Sequence, residues 1–294
     1  MIEIKDLNKS FGDTVVLKNL NLTIDSGSIF GLVGINGAGK STLLRCLTGI
    51  YQVDSGTIQV DGQDVYENEA VKKTMIIVPD DPYFSRNSTI NSLKASYQYF
   101  YYFDQEKFEK YLEIFHLDPN KNINNFSKGM KRQVFLLMAL SLSPKILILD
   151  EAFDGLDPLV RLNFKKALTD LIEEKETTII ISSHNLKELE DICDCFGILD
   201  DHHITVSGDL YEEKALINKY QLAYESEKTI DDFTGFDIVD FKSNGRVVNM
   251  VIKGDNQEIM DQLKKTGPIL LETLPMNFEE LFINEIEEKG GLVK

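Results

Sequence analysis

One nine-residue run constrains this chain more than any other: Gly34-Ile35-Asn36-Gly37-Ala38-Gly39-Lys40-Ser41-Thr42, which fits the pattern G-x-x-x-x-G-K-[ST]. An apolar stretch over residues 28–33 precedes it, and residues 40–47 follow with helical spacing. A strand that passes through a glycine-rich loop into a helix is what a phosphate cradle needs. Glycines let backbone N–H groups converge on phosphate oxygens, and the helix N-terminus adds partial positive charge. Asn36, Gly37, Ala38, Gly39, Lys40, Ser41 and Thr42 are therefore the candidate phosphate-binding residues. Lys40 would reach the β and γ phosphates, and the Ser41 hydroxyl would be a ligand of Mg2+. The loop alone implies a nucleoside triphosphate. It leaves kinases, GTPases, helicases and transport ATPases open.

A second apolar strand, residues 146–149, ends in Asp150 and Glu151. Ligands of parallel α/β sheets sit at the carboxyl ends of strands, which puts Asp150 in reach of a nucleotide-bound Mg2+. Neighbouring strand residues point opposite ways, so Glu151 faces elsewhere and can act as general base on an attacking water.

The rest of the chain organises around these two segments. Apolar runs at 75–78, 146–149 and 178–181 are of the buried parallel kind. Helical spacing covers 159–172 and 186–192, and strands are expected at 196–199 and 204–206. Residues 2–7 and 15–24 read as strands of a half-exposed sheet, and 57–60 as a further strand. Residues 83–143 have helical periodicity and read as an inserted helical subdomain; the aromatic run 97–103 is read as helix core, with a partner surface as the alternative. A helix starting near Asp209 closes the first domain, 1–218. Residues 219–294 suggest a small α+β appendage, with strands at 238–241, 247–252 and 269–271 and helices at 257–264 and 278–288.

The segment Asn125-Phe126-Ser127-Lys128-Gly129-Met130-Lys131-Arg132-Gln133 resembles the signature of ATP-binding subunits of ABC (ATP-binding cassette) transporters, usually L-S-G-G-Q. Phe126, Lys128 and Met130 depart from it; Ser127 and Gly129 are kept. Glu151 to Pro158 resembles the family stretch from catalytic glutamate to D-loop, and Ser182-Ser183-His184 resembles its switch histidine. The resemblance implies an α/β fold, the P-loop NTPase ABC cassette, with a RecA-like core, an antiparallel β subdomain and the inserted helical subdomain. It places Phe11 and Val16 against adenine and Asp157 near nucleotide. It implies two copies, or this chain and a related ATPase, meeting head to tail around two Mg2+-bound ATP molecules. Ser127, Gly129 and Met130 of one copy would then contact the γ-phosphate held by the other. Glu151 and His184 would be the catalytic pair. The family usually has Gln after the strand corresponding to 75–78. Here Pro79 is followed by Asp80 and Asp81, and Asp80 is a candidate Mg2+ ligand.

The implied function is that of an ATP-hydrolysing motor subunit, cytoplasmic and peripheral on the inner face of the cell membrane through separately encoded integral-membrane subunits. The S-K-G-M form of the signature resembles a bacterial subfamily of export type, and Tyr83 and Phe84 lie where that family meets its membrane subunits. The rival reading is a soluble ABC-type ATPase with no transport role. The formal net charge of −17 argues against nucleic acid as a partner and against docking on an anionic lipid surface. Three cysteines, Cys46, Cys193 and Cys195, make no disulfide framework.

Overall fold

The computed structural model describes residues 1–209 and 217–275. The helices expected from Asp209 onward and over 278–288 fall on residues outside that description. The chain divides into two compact units, Met1–Ser207 and Gly208–Lys294.

The first unit holds two sheets. An antiparallel one has the order β2-β1-β4-β5, from β1 (Ile2–Phe11), β2 (Thr14–Ile24), β4 (Ser55–Val60) and β5 (Gln63–Asp64). The other has the order β10-β9-β3-β8-β7-β6. Its strands are β3 (Ile29–Val33), β6 (Met75–Val78), β7 (Ile146–Asp150), β8 (Thr178–Ser183), β9 (Cys195–Asp200) and β10 (His203–Asp209). Strands β3, β7 and β8 are buried on both faces, which is why their sequences are continuous apolar runs rather than alternations.

Register in this sheet decides where the functional loops emerge. Val33 pairs with Ser183, Asp150 with Ser182, and Val78 with Leu149, all in parallel. The residues that follow β3, β6, β7 and β8 therefore leave along one edge. Helix α1 (Lys40–Leu47) packs back against β7, and Leu43, Leu44 and Leu47 share a core with Ile146, Ile148 and Ile180.

Helix α2 (Glu69–Lys72) is a single turn before β6. The helical insertion contains α3 (Ile90–Phe100), α4 (Gln105–Ile114) and α5 (Lys128–Leu142). Each starts on a side-chain cap: Thr89 to the N–H of Ser92, Asp104 to Lys107, and Ser127 to Met130. Helix α5 packs on α4 and on β6. It ends at Ser143, whose φ of 44° lies in the left-handed region, just before Pro144. The aromatic run divides: Tyr99, Phe100 and Tyr102 are 84%, 66% and 79% exposed, whereas Tyr97, Tyr101 and Phe103 are half-buried, Phe103 with its ring 5.4 Å from that of Phe108. Phe108, Tyr111, Leu136 and Leu140 of α4 and α5 are buried instead.

Helices α6 (Pro158–Lys175) and α7 (Leu186–Glu190) follow β7 and β8. All three cysteines are unbridged, and burial pushes the Cys46 thiol up to about 11, so it packs as a small apolar side chain.

The second unit is an antiparallel sheet of order β12-β13-β11-β14. It is built from β11 (Ile217–Ala223), β12 (Ile238–Asn244), β13 (Val247–Lys253) and β14 (Leu270–Leu274), with helix α8 (Asn256–Lys265). Tyr220, Leu222, Val248, Met250 and Ile252 form its core with Ile259 and Leu263 of α8. Strand β11 is central in this sheet and spans residue 218, where the sequence suggested a boundary. Tyr220 and Leu222 alternate into its core between Lys219 and Gln221, and the polar Asn218 and Lys219 separate them from the buried Ile217. Among the described residues no helix is long and apolar enough to cross a membrane.

Candidate functional site

The glycine-rich loop joins β3 to α1, and two of its glycines have steric reasons. Gly39 is the N-cap of α1 with φ 107°, and a Cβ there would lie 3.0 Å from Val16 Cγ1 and 3.2 Å from its carbonyl oxygen. At Gly34 a Cβ would lie 2.6 Å from the carbonyl oxygen of Leu199. Any other residue would push the loop off the sheet edge. Because Gly39 has no side chain, no cap covers the first N–H groups of α1, and no acidic residue sits in its first turn. These donors are open to an anion. Ala38, Ser41 and Thr42 are half-buried around them, while Asn36 and Gly37 face solvent.

Lys40 is buried, at 6% exposure. Its Nζ donates to the carbonyl of Gly34 at 2.7 Å and lies 3.4 Å from Glu151 Oε1. The other oxygen of Glu151, Oε2, is 2.9 Å from Nδ1 of His184 and accepts from the His184 backbone N–H at 3.3 Å. One carboxylate thus bridges a lysine at the start of α1 and a histidine just past the end of β8. The hydrogen bond to Glu151 holds the His184 imidazole above its ordinary pKa. The charges of Glu151 and Asp154 act in the same direction, against burial and Lys40.

The backbone around Glu151 is tightly specified. Its φ is 50°, an uncommon value for a non-glycine residue. Its N–H donates to the Ser182 carbonyl at 3.2 Å and to Ser182 Oγ at 3.1 Å. That hydroxyl in turn donates to Oδ1 of the buried Asp150 at 2.6 Å. Asp154 closes a turn by donating its N–H to the Glu151 carbonyl at 3.2 Å. Carboxylate oxygens of Glu151 and Asp154 and a ring nitrogen of His184 lie within 4.8 Å of one another. The sequence motifs single out neither Ser182 nor Asp154 for a role of its own.

Other sequence candidates stand around this centre. Val16 packs on Gly39, as noted. Phe11 is 45% exposed and meets Tyr51 edge-on, with ring centroids 5.3 Å apart. No motif pointed to Tyr51. Asp157 caps α6, its Oδ1 accepting from the N–H groups of Leu159 and Val160. Ser127 caps α5, and Gly129 sits against the loop after Glu151: a Cβ on it would be 2.5 Å from the Gly155 carbonyl oxygen. Among the described residues no hydrogen bond or ion pair joins Ser127, Gly129 or Met130 to the phosphate loop of the same chain.

Asp80 differs from expectation. Its Oδ1 accepts from Arg132 Nη2 at 2.6 Å and lies 3.7 Å from Lys128 Nζ. Arg132 and Lys128 thus occupy Oδ1 of the carboxylate that the sequence offered as a Mg2+ ligand.

Comparison with known proteins places the chain in a family. A family profile described as ABC transporter matches residues 17–154. The ABC transporter ATP-binding protein YtrB of Bacillus subtilis is 31% identical over 96% of this chain and 97% of its own length. The chain belongs to the ABC transporter ATP-binding family. As a family member it is an ATPase of the ABC type that binds ATP. The bacitracin transport ATP-binding protein BcrA of Enterococcus faecalis is 31% identical over 84% of this chain and 78% of its own. A solved structure of an ATP binding subunit of an ABC transporter superposes with a TM-score of 0.67 at 27% identity, covering 73% of this chain and 92% of that one. Within this ABC ATPase, the phosphate loop, Asp150, Glu151 and His184 come together at one sheet edge, and Asp80 is turned toward α5.

Proposed function

We propose that this ABC ATPase is the motor of a membrane transporter that works in export, with membrane-spanning subunits carried on separate chains. The observation that carries the site assignment is the Glu151 carboxylate held between Lys40 and His184. In this reading Lys40 gives up the Gly34 carbonyl and Glu151 for the β and γ phosphates of ATP. Glu151, released from Lys40, polarises the attacking water as general base. His184 Nδ1 keeps Glu151 oriented, and the histidine contacts the γ-phosphate. Catalysis is then positioning and charge stabilisation, as phosphoryl transfer requires.

The oxygen donors Asp150 and Ser41 are the hard ligands that Mg2+ takes, and Ser182 holds the Asp150 carboxylate in place by its hydroxyl. Bound there, the ion would neutralise charge on the β and γ phosphates. Phe11 and Val16 receive the base. Ser127, Gly129 and Met130 act on the nucleotide of a second copy, or of a related ATPase, packed head to tail. Asp157 lies at the same interface. The exposed Tyr83 and the apolar hollow beside it, lined by Phe84, Leu93, Tyr97, Phe135 and Met138, receive the membrane subunit. The chain then sits on the inner face of the cell membrane through that partner. The S-K-G-M variant supports the export direction. BcrA, a bacitracin transport protein by name, supports the transport reading.

Affinity purification of the tagged chain from its native membranes, followed by reconstitution with any captured membrane protein, tests this reading. Co-purification, and ATP hydrolysis stimulated in the reconstituted complex, are expected. Full activity in the isolated chain with no captured membrane protein would favour an ABC-type ATPase without a transport role.

A further inference from the structure

We propose that Asp80 and Arg132 form a positioning pair that ties the loop bearing Tyr83 and Phe84 to the turn bearing Glu151. This inference rests on the ATPase reading and adds to it a route by which the surface of the helical insertion acts on the catalytic turn.

Arg132 lies in the second turn of α5 and is 1% exposed. Its guanidinium holds two loops at once. Nη1 donates to the Asp154 carbonyl, and Nη2 donates to both the carbonyl of Asp80, at 2.7 Å, and its Oδ1, at 2.6 Å. Nε has no partner, so the fork is spent wholly on these two loops. A buried guanidinium is tolerated only with an anion and well-placed acceptors beside it. Asp80 is the carboxylate that provides both. Lys128, mostly exposed and 3.7 Å away, adds a weaker attraction from the same helix.

Each end of the pair leads somewhere. On the catalytic side, Asp154 closes the turn onto the Glu151 carbonyl, so fixing Asp154 fixes the turn from which the Glu151 side chain projects. Gly129 abuts the carbonyl of Gly155, one residue further on. The start of α5 is therefore anchored to this turn at two points and cannot slide past it as a single contact would allow. On the surface side, Asp80 stands three residues before Tyr83, which is 84% exposed. Phe84 is buried and packs on Phe135 of α5, with ring centroids 4.8 Å apart. A force on Tyr83 has a short, charged and packed path to Glu151. A carboxylate at position 80 is what that path needs, because a neutral amide would leave Arg132 buried without a counter-ion.

The chain has no tryptophan, so Tyr83→Trp installs a single reporter on the surface loop. ATP with Mg2+ added to Y83W is expected to change the tryptophan emission. D80N in that background is expected to bind a fluorescent ATP analogue within about twofold of Y83W, yet to lose most of the emission change, with kcat down about tenfold and KM within about twofold. D80N leaves the buried Arg132 without its counter-ion, so its fold is checked by circular dichroism, and D80E, which keeps the carboxylate, is expected to retain the emission change. R132K, which preserves charge but not the fork, is expected to show a partial response. A full emission change in D80N/Y83W, or none in Y83W itself, would overturn the pair. Failure of the unsubstituted chain to bind the analogue would instead overturn the ATPase reading.

Discussion

His184 meets Glu151 twice: its ring Nδ1 is 2.9 Å from Oε2, and its backbone N–H donates to the same oxygen at 3.3 Å. The ring is 47% exposed and the carboxylate 12%. A partly shielded carboxylate beside an imidazole favours the protonated ring, and this gives a direct expectation for pH.

The His184 pKa lies above its ordinary 6.5 because of the Glu151 hydrogen bond. A raised folded-state pKa means that the pair's stabilisation is complete below the unfolded value and is lost as pH rises through the folded one. A ring-proton NMR titration is expected to give a His184 midpoint above that of an unstructured histidine. Glu151→Gln is expected to move the midpoint down. An unmoved midpoint would show that Glu151 does not govern it.

Gly39→Ala is expected to damage the phosphate loop. The residue sits at φ 107°, and its Cβ would press on Val16. A loss of about 1–3 kcal/mol in stability is expected in denaturant titration, together with loss of nucleotide binding. A variant with unchanged stability and affinity would mean that the loop tolerates a different path.

Lys40→Ala removes the buried ammonium that is placed to meet the β and γ phosphates. Hydrogen bonds to charged groups contribute about 1.5–3 kcal/mol, so ATP affinity is expected to fall about 10- to 100-fold by calorimetry. Wild-type affinity in this variant would place the phosphates elsewhere.

Asp80→Asn separates two roles for that carboxylate. Since Arg132 holds it, the Mg2+ dependence of ATP hydrolysis is expected to keep its midpoint, whatever happens to the rate. A clear shift of the Mg2+ midpoint would return Asp80 to the metal site.

The core of the first unit and its phosphate loop were legible in the sequence for physical reasons. Strands β3, β7 and β8 are buried on both faces and so read as unbroken apolar runs. The loop's glycines answer to local sterics that any strand-to-helix cradle imposes. The lysine, both carboxylates and the histidine flank those strands, so finding the strands located them. The partner of Asp80 was not legible, because Arg132 lies 52 residues away and only the fold brings the two together. The same holds for Tyr51 against Phe11, and for Ser182, whose hydroxyl links Asp150 to the Glu151 backbone. The aromatic run at 97–103 misled because apolar side chains on one helix do not reveal which of them have a neighbour to pack on. Strand β11 escaped because three polar residues interrupt its buried set.

The account turns on Glu151, and substituting it by glutamine probes that claim most directly. The variant keeps the shape of the side chain, loses the base and relieves Lys40 of its ion pair. It is therefore expected to bind ATP at least as tightly as the natural chain and to accumulate as an ATP-bound dimer, while hydrolysis falls by about a hundredfold or more, within the usual range for a lost general base. Hydrolysis near the rate of the natural chain would contradict the assignment of Glu151 as the base.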